Sequence, residues 1–270
     1  MYRPFRFFHV LVACSVLLLC FPAPASAVAD PSAIVQEAAS TESPVWYCWG
    51  PGLPDACRRG LMGLTFDAFN DGWAVGQYGV ILHWNGTSWR SFPSPTERTL
   101  NDVTIVPGTN GTDAWAVGDA GTLLRWDGFS WSTVGSPVTE YLVEVDAVSS
   151  TDVWVASSSG SMLHWNGASW TNTGDLGSVY LRSLDMVSAS DGWVMGSGGV
   201  IYRWRGFQWE SVASPTTQDL YAVAMVSATD GWAVGAGAGQ RRGNRCAQSG
   251  LNSGRRGTCP AGRARRRRAR

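Results

Sequence analysis

Thirteen of the fifteen tryptophans in this chain recur at fixed intervals. Trp73, Trp84 and Trp89 are separated by 11 and 5 residues, and the spacing returns at Trp115, Trp126, Trp131, at Trp154, Trp165, Trp170 and at Trp193, Trp204, Trp209. Trp232 opens a fifth copy. From copy to copy the leading Trp advances by 42, 39, 39 and 39 residues. A self-similar period of this size marks a repeat architecture, in which a unit too small to bury its own apolar faces must stack on its neighbours. It also directs the search for function away from one enclosed pocket and towards a surface built from equivalent positions.

Each copy reads as four short strands. In the third, Tyr141 to Val148 is apolar and β-rich, and Thr151-Asp152 punctuates it. Val153 to Ser157 follows, then the turn Ser158-Ser159-Gly160, a third strand from Ser161 to Trp165, the step Asn166-Gly167 and a fourth strand from Ser169 to Thr173. Short strands with turn signals every 8–12 residues or about that indicate an all-β fold. No segment beyond the first 27 residues shows helical periodicity. The expected architecture is a β-propeller of four-stranded antiparallel blades, with four complete blades and a broken fifth that leave the ring open or incomplete. Blade limits are expected at 63–95, 96–137, 138–176 and 177–215, with a partial blade at 216–235. A linear β-solenoid has much shorter repeats. Ser94-Pro95, Ser136-Pro137 and Ser214-Pro215 fall where one blade crosses to the next.

The 5-residue Trp interval spans a turn. Asn85-Gly86, Asp127-Gly128 and Asn166-Gly167 suit a two-residue type I′ hairpin, and Arg205-Gly206 keeps the Gly. That turn predicts Trp84 opposite Thr87, His83 opposite Ser88 and Leu82 opposite Trp89. Trp84 and Trp89 are then diagonal neighbours on one face, roughly 7–8 Å apart. The other face carries His83 against Ser88, Arg125 against Ser130, His164 against Ser169 and Arg203 against Gln208. The tryptophans are accordingly expected to pack blades together and not to form a ligand-binding ladder. Gly79, Gly121, Gly160 and Gly199 each lie six residues after the leading Trp, where a positive φ or a close chain approach is expected. Asp71, Asp113, Asp152, Asp191 and Asp230 each stand two residues before it. A metal or catalytic carboxylate needs one distinctive setting, so the expectation is an Asp closing a turn onto its own backbone. No catalytic, cofactor-binding or metal-binding residue stands out.

The stretch Asp-Gly-Trp-Ala-Val-Gly-x-x-Gly-x-Ile-Leu-His-Trp-Asn-Gly-x-Ser-Trp at 71–89 resembles the repeats of the BNR/Asp-box propeller superfamily. It is most similar to those of the photosystem II stability/assembly factor group (WD40/YVTN/BNR-like repeats) and its non-photosynthetic bacterial relatives. The resemblance covers about Leu64 to Gly235. An Asp box runs Ser/Thr-x-Asp-x-Gly-x-x-Trp, whereas the turn here is Trp-Asn-Gly-x-Ser-Trp, and the hairpin also resembles kelch blades. The resemblance implies a propeller scaffold that binds proteins or other ligands, without a role in photosynthesis.

The N-terminus reads as a secretory signal. Arg3 and Arg6 precede an apolar run from Phe7 to Phe21, and Ala25-Ser26-Ala27 is an A-x-A site, so cleavage is expected after Ala27. Leu11-Val12-Ala13-Cys14 offers a lipoprotein box as an alternative, but apolar sequence continues behind it. No transmembrane segment is expected after signal cleavage. In the extension 28–62, Cys48 and Cys57 could close a small disulfide loop in an oxidising compartment. Between Val28 and Gly235 there are 21 acids and 8 Arg, a formal charge of −13. From Ala236 to Arg270 there are 11 Arg and no acid, and the whole chain lacks lysine. Such a continuation is what a GC-rich gene yields when read out of frame, so a frameshifted or truncated end is expected at 236–270. The alternative is a genuine basic tail; on either reading 236–270 is expected to be a disordered Arg-rich tail, because its composition cannot bury a core.

These features lead to a secreted, non-catalytic scaffold binding a protein or carbohydrate ligand. A sialidase-like glycoside hydrolase is the alternative. It needs paired acids, or a Tyr nucleophile with arginines gripping a carboxylate. Of the eight arginines between Val28 and Gly235, Arg58, Arg59, Arg98 and Arg182 fall outside repeat positions or the hairpin turn, and nothing in their spacing gathers them. A third reading gives the basic tail an anionic surface or nucleic acid, bound without sequence specificity. No cofactor is expected.

Overall fold

Five antiparallel sheets follow one another along the chain in a computed structural model that describes residues 60–68 and 70–236 and the backbone of 249–250. The signal segment, Cys48, Cys57 and residues 251–270 lie outside the described residues. The first blade holds β1 (Leu61–Ala68), β2 (Asp71–Gly76), β3 (Ile81–Trp84) and β4 (Trp89–Phe92). The second holds β5 (Leu100–Ile105), β6 (Ala114–Gly118), β7 (Thr122–Trp126) and β8 (Trp131–Val134). The third holds β9 (Leu142–Ser149), β10 (Asp152–Ser157), β11 (Ser161–Trp165) and β12 (Trp170–Asp175). The fourth holds β13 (Leu181–Ser188), β14 (Asp191–Gly196), β15 (Ile201–Trp204) and β16 (Trp209–Ser211). The fifth holds β17 (Leu220–Ser227), β18 (Asp230–Gly235) and the two-residue β19 (Ser249–Gly250). Thus Ser249 and Gly250, in the stretch expected to lack structure, add a third strand that pairs with Ala233 and Trp232.

The chain is a β-propeller. Within each blade the strands pair in sequence order, and the first strands lie side by side from β1 through β5, β9 and β13 to β17. They line a common axis, and the blades radiate from it. No comparable contact joins β17 to β1, so the described blades form an open arc.

Each first strand has one edge facing the axis, where its N–H groups have no strand to pair with. On β9, β13 and β17, side chains of the preceding blade take those protons. Val145 N–H donates to Asp102 Oδ2 at 2.9 Å, and Leu184 N–H to Glu144 Oε2 at 2.8 Å. Met186 N–H donates to Asp146 Oδ2 at 2.7 Å, Val223 N–H to Ser183 Oγ at 3.0 Å and Met225 N–H to Asp185 Oδ2 at 2.6 Å. A buried backbone donor must be satisfied, and an open edge strand invites wrong pairing. These side chains meet both demands and lock each blade to the next near the axis.

Farther out, the lock is aromatic. Trp73 packs on Trp126 and Trp131 of the next blade, with ring centroids 4.9 and 5.2 Å apart. Trp115 meets Trp165 and Trp170, each at 5.1 Å, and Trp154 meets Trp204 and Trp209 at 4.7 and 5.7 Å. The leading Trp of one blade therefore sits against the hairpin pair of its successor. Aliphatic residues continue each junction inward, as where Trp73, Val75 and Ile81 cluster with Leu100, Val103 and Leu124. Burying one indole removes roughly 150–250 Å² from water, worth about 4–6 kcal/mol at ~25 cal/mol/Å².

The hairpin register departs from the two-residue turn expected above. Trp84 stands directly opposite Trp89, and Trp126–Trp131, Trp165–Trp170 and Trp204–Trp209 pair likewise. The turn has four residues because the Asn side chain organises it. Asn85 Oδ1 accepts the N–H groups of Thr87 and Ser88 at 3.1 and 3.0 Å, while Gly86 takes φ +89°. The two indoles still share a face, but as a direct cross-strand pair with centroids 5.6 Å apart. The opposite face consequently sets His83 against Arg90, Arg125 against Ser132, His164 against Thr171 and Arg203 against Glu210.

Gly79, Gly121, Gly160 and Gly199 all have positive φ, at 70°, 69°, 105° and 76°. They also lie against the crossover to the next blade, where an added Cβ would strike the carbonyl of Thr96, Val138, Gly177 or Thr216. Both reasons for Gly apply at once.

Candidate functional site

The repeated Asp positions do not close turns onto their own backbone as expected. They reach across the sheet to the basic residue twelve positions later. Asp113 Oδ1 and Oδ2 accept from Arg125 Nε and Nη2 at 3.0 and 2.9 Å, and Asp191 holds Arg203 in the same two-pronged way at 2.8 and 2.5 Å. Asp71 Oδ1 lies 2.6 Å from His83 Nε2, and Asp152 Oδ1 lies 2.8 Å from His164 Nε2. Asp230, in the fifth blade, is exposed. The physical reason is the register between second and third strands: His83 stands opposite Trp73 and Arg125 opposite Trp115, which sets each basic side chain diagonally across from the Asp two residues before that Trp. Each basic group also stacks on the leading indole. Arg125 Cζ is 5.2 Å from the Trp115 ring and 5.8 Å from Trp165, Arg203 Cζ is 4.8 Å from Trp193, and His83 and His164 lie 4.4 and 4.3 Å from Trp73 and Trp154. The hydrogen bonds to Asp113 and Asp191 hold the protons of Arg125 and Arg203 more firmly than usual. This Asp–basic–Trp brace recurs in four blades and orients the Trp for its junction. Among the described residues there is no group of three His, Cys, Asp or Glu side chains placed to hold a metal.

A different arrangement gathers on the face that carries the turns between second and third strands, here the upper face. The first strands begin at this face, beside the axis. Tyr141 and Tyr180 immediately precede Leu142 and Leu181, which open β9 and β13, and Tyr221 is the second residue of β17. All three are exposed. Arg182 lies between two of the rings, its Cζ 4.9 Å from Tyr180 and 5.1 Å from Tyr221. Its Nη2 donates to Asp219 Oδ2 at 3.2 Å and its Nε to Ser197 Oγ at 3.3 Å. The other Asp219 oxygen accepts Gly198 N–H at 2.9 Å. Tyr141 is set from behind: its hydroxyl donates to Asn101 Oδ1 at 2.9 Å, and Asn101 Nδ2 donates to Leu142 O at 2.8 Å and Asp119 Oδ1 at 3.3 Å. Burial first, then Asp119 and Tyr180, push the Tyr141 hydroxyl pKa above its ordinary value. Glu140 adds a carboxylate whose oxygens accept the hydroxyls of Ser159 and Ser161.

Tyr78 stands on the same face, 65% exposed and at φ +58°. A bulky side chain in the left-handed region is strained by about 1–2 kcal/mol, and such strain collects at working surfaces.

Of the arginines outside repeat positions, Arg58 and Arg59 lie outside the described residues. Arg98 donates to Ala120 O at 3.1 Å on the upper face, and only Arg182 joins the aromatic row. The three tyrosines and the axis-lining Asp102, Glu144, Asp146 and Asp185 escaped the sequence reading. The carboxylates were signalled by alternation: Leu-Val-Glu-Val-Asp-Ala in β9 puts polar residues at every second position of an otherwise apolar strand. The tyrosines, 39 and 41 residues apart, carried no signal until the ring set them side by side.

No protein-family model matches this sequence, and no curated protein is similar to it. Solved structures share the fold. YCF48 from Cyanidioschyzon merolae is 17% identical with a TM-score of 0.52, the match covering 71% of this chain and 72% of that one. The WD40 β-propeller domain of Doa1 is 11% identical with a TM-score of 0.54, covering 66% of this chain and 62% of the other. A structure of YCF48 bound to D1 peptide is 16% identical with a TM-score of 0.42, covering 66% and 75%. The fold is thus that of β-propeller proteins.

Proposed function

We propose that the protein is an extracytoplasmic, non-catalytic propeller scaffold, built from BNR-like repeats, that binds a partner protein on its upper face near the axis. The observation that carries this reading is the row Tyr141, Tyr180 and Tyr221, exposed on three successive blades, with the half-buried Arg182 packed between the last two and Tyr141 held from behind by Asn101. Tyr and Arg dominate the energetic centres of protein interfaces, since they offer rigid area and polar tips at low entropic cost. The second-strand acids of the first four blades are taken up by the braces, which favours binding over hydrolysis.

Peptides selected by phage display on the purified chain test the reading. Binders are expected to weaken at least about tenfold with Tyr180→Ala/Tyr221→Ala and to be unaffected by Phe129→Ala/Phe207→Ala. Phe129 and Phe207 are exposed on the opposite face, at the hairpin turns. Equal loss from both pairs would sink the upper-face assignment. N-terminal sequencing of the exported protein should begin at Val28, and hydrolysis of a sialoside by the purified chain would overturn the non-catalytic reading.

A further inference from the structure

In the first four blades a third strand pairs with the second over four or five residues, as β15 does with β14 from Met195–Ile201 to Gly192–Trp204. In the fifth blade, among the described residues, β18 pairs on that side only at Trp232 with Gly250 and at Ala233 with Ser249. A Ser-Gly strand of this length has little side chain to pack, and Gly weakens a strand. Asp230, Gly231, Val234 and Gly235 have no described strand partner there. Such an edge accepts an extended segment by backbone pairing.

The four braces define what chemistry that segment carries. Each third strand sets a basic residue directly opposite the leading Trp, as Arg203 stands opposite Trp193. Its guanidinium stacks 4.8 Å from the indole and holds the Asp two residues earlier. The next residue of the third strand is a Trp whose indole N–H donates to a backbone carbonyl: Trp126 to Gly111 O at 3.1 Å, Trp165 to Ser150 O at 3.2 Å and Trp204 to Ala189 O at 2.9 Å. One repeat later the corresponding groups are Asp230, Trp232 and Ala228 O. Asp230 is exposed and pairs with no basic side chain among the described residues. Trp232 is 42% exposed, whereas Trp73, Trp115, Trp154 and Trp193 are buried. Ala228 O accepts from Arg203 at 2.9 Å and keeps a second lone pair. A carboxylate beside an indole face attracts a cation by charge and quadrupole together. A second copy of this chain is a poor donor, because β3, β7, β11 and β15 each lie between two strands of a complete sheet and leave only by unfolding it.

We propose that the outer edge of β18 docks a β-hairpin of a separate partner protein, with the order apolar, apolar, basic, Trp, a tight turn and a second Trp. The hairpin takes the place of the two-residue β19. Its basic side chain stacks on Trp232 and pairs with Asp230, and its first indole donates to Ala228 O. This edge lies apart from the upper-face tyrosines, and the inference stands independently of them.

The test is fluorescence anisotropy on the full chain with a labelled peptide of residues 199–211, which carries the sequence of β15, its turn and β16. The peptide is expected to bind, and to lose about tenfold or more in affinity with Asp230→Ala/Trp232→Ala in the chain or with Arg203→Glu in the peptide. Tyr180→Ala/Tyr221→Ala in the chain should leave the affinity unchanged. Ser249→Pro/Gly250→Pro should tighten binding, because proline offers no N–H to hold β19 in the ladder. Near-UV circular dichroism of the tryptophans checks that each variant is folded. Absence of binding, or binding that ignores the Asp230/Trp232 pair in a folded chain, overturns the proposal. Loss with the tyrosine pair alone moves the peptide to the upper face and overturns the edge site while leaving the upper-face reading standing. Weaker or unchanged binding to the proline variant overturns the displacement of β19. Sedimentation velocity of the chain without peptide is expected to give a monomer; a dimer abolished by Trp232→Ala assigns the edge to a second copy and overturns the separate partner.

Discussion

Trp115 and Trp232 hold the same position in their repeats, yet Trp115 is 0% exposed and Trp232 is 42% exposed. Trp115 lies between Trp165 and Trp170 of the third blade, with Arg125 stacked beside it. Trp232 lies in the last sheet of the described arc, whose third strand is only two residues long. The difference shows that the repeat prepares an indole for burial and the following blade accomplishes it. The axis tells the same story. Asp146 in β9 takes the N–H of Met186, while the matching position in β17 is Ala224, which has no acceptor to offer.

Substitutions at equivalent positions sharpen this contrast. Trp115→Ala is expected to cost about 3–5 kcal/mol in urea unfolding, because it empties a junction that has no slack. A loss under ~1 kcal/mol would mean that the hairpin pair collapses into the space. Gly121→Ala should cost about 2–3 kcal/mol, since it combines a left-handed φ of +69° with a clash against the Val138 carbonyl. Asp146→Ala leaves the Met186 N–H unsatisfied and should cost about 1–3 kcal/mol.

Glu144→Gln probes the same layer with a different sign. Burial, and then the neighbouring Asp102, raise the Glu144 pKa well above its ordinary 4.5. The folded protein thus keeps a proton that the unfolded chain gives up, and this group's contribution falls as pH rises from the ordinary carboxylate range through its raised folded value. Gln keeps an oxygen for the Leu184 N–H. The variant should match the wild type in acid and melt higher at neutral pH; a lower melting temperature at both would contradict the assignment. Smallest of all, Trp232→Ala should change stability by less than about 1 kcal/mol. A penalty as large as that of Trp115→Ala would show that something covers Trp232 in solution and erase the contrast.

The Trp interval made the blades legible, because strand alternation and the turn glycines act over a few residues. The hairpin register was not legible. Asn-Gly suits a two-residue loop equally well, and the choice fell to Asn85 Oδ1 capturing two N–H groups and to the direct meeting of Trp84 with Trp89. The partners of the repeated Asp residues were not legible either, since they depend on the pairing of second with third strands, which sets His83 opposite Trp73 and Arg125 opposite Trp115 and so brings them beside Asp71 and Asp113.

Sequence alone specified a unit: four strands, a paired-Trp hairpin, glycines where φ must be positive, and a period that obliges units to stack. The stacking itself decided which Trp is buried, which first-strand N–H each carboxylate satisfies, and that Tyr180, Arg182 and Tyr221 meet on one rim. Those contacts join residues about one repeat apart, such as Asp102 with Val145 or Arg182 with Tyr221. A local pattern determines what each blade presents, but only the neighbouring blade determines what it meets.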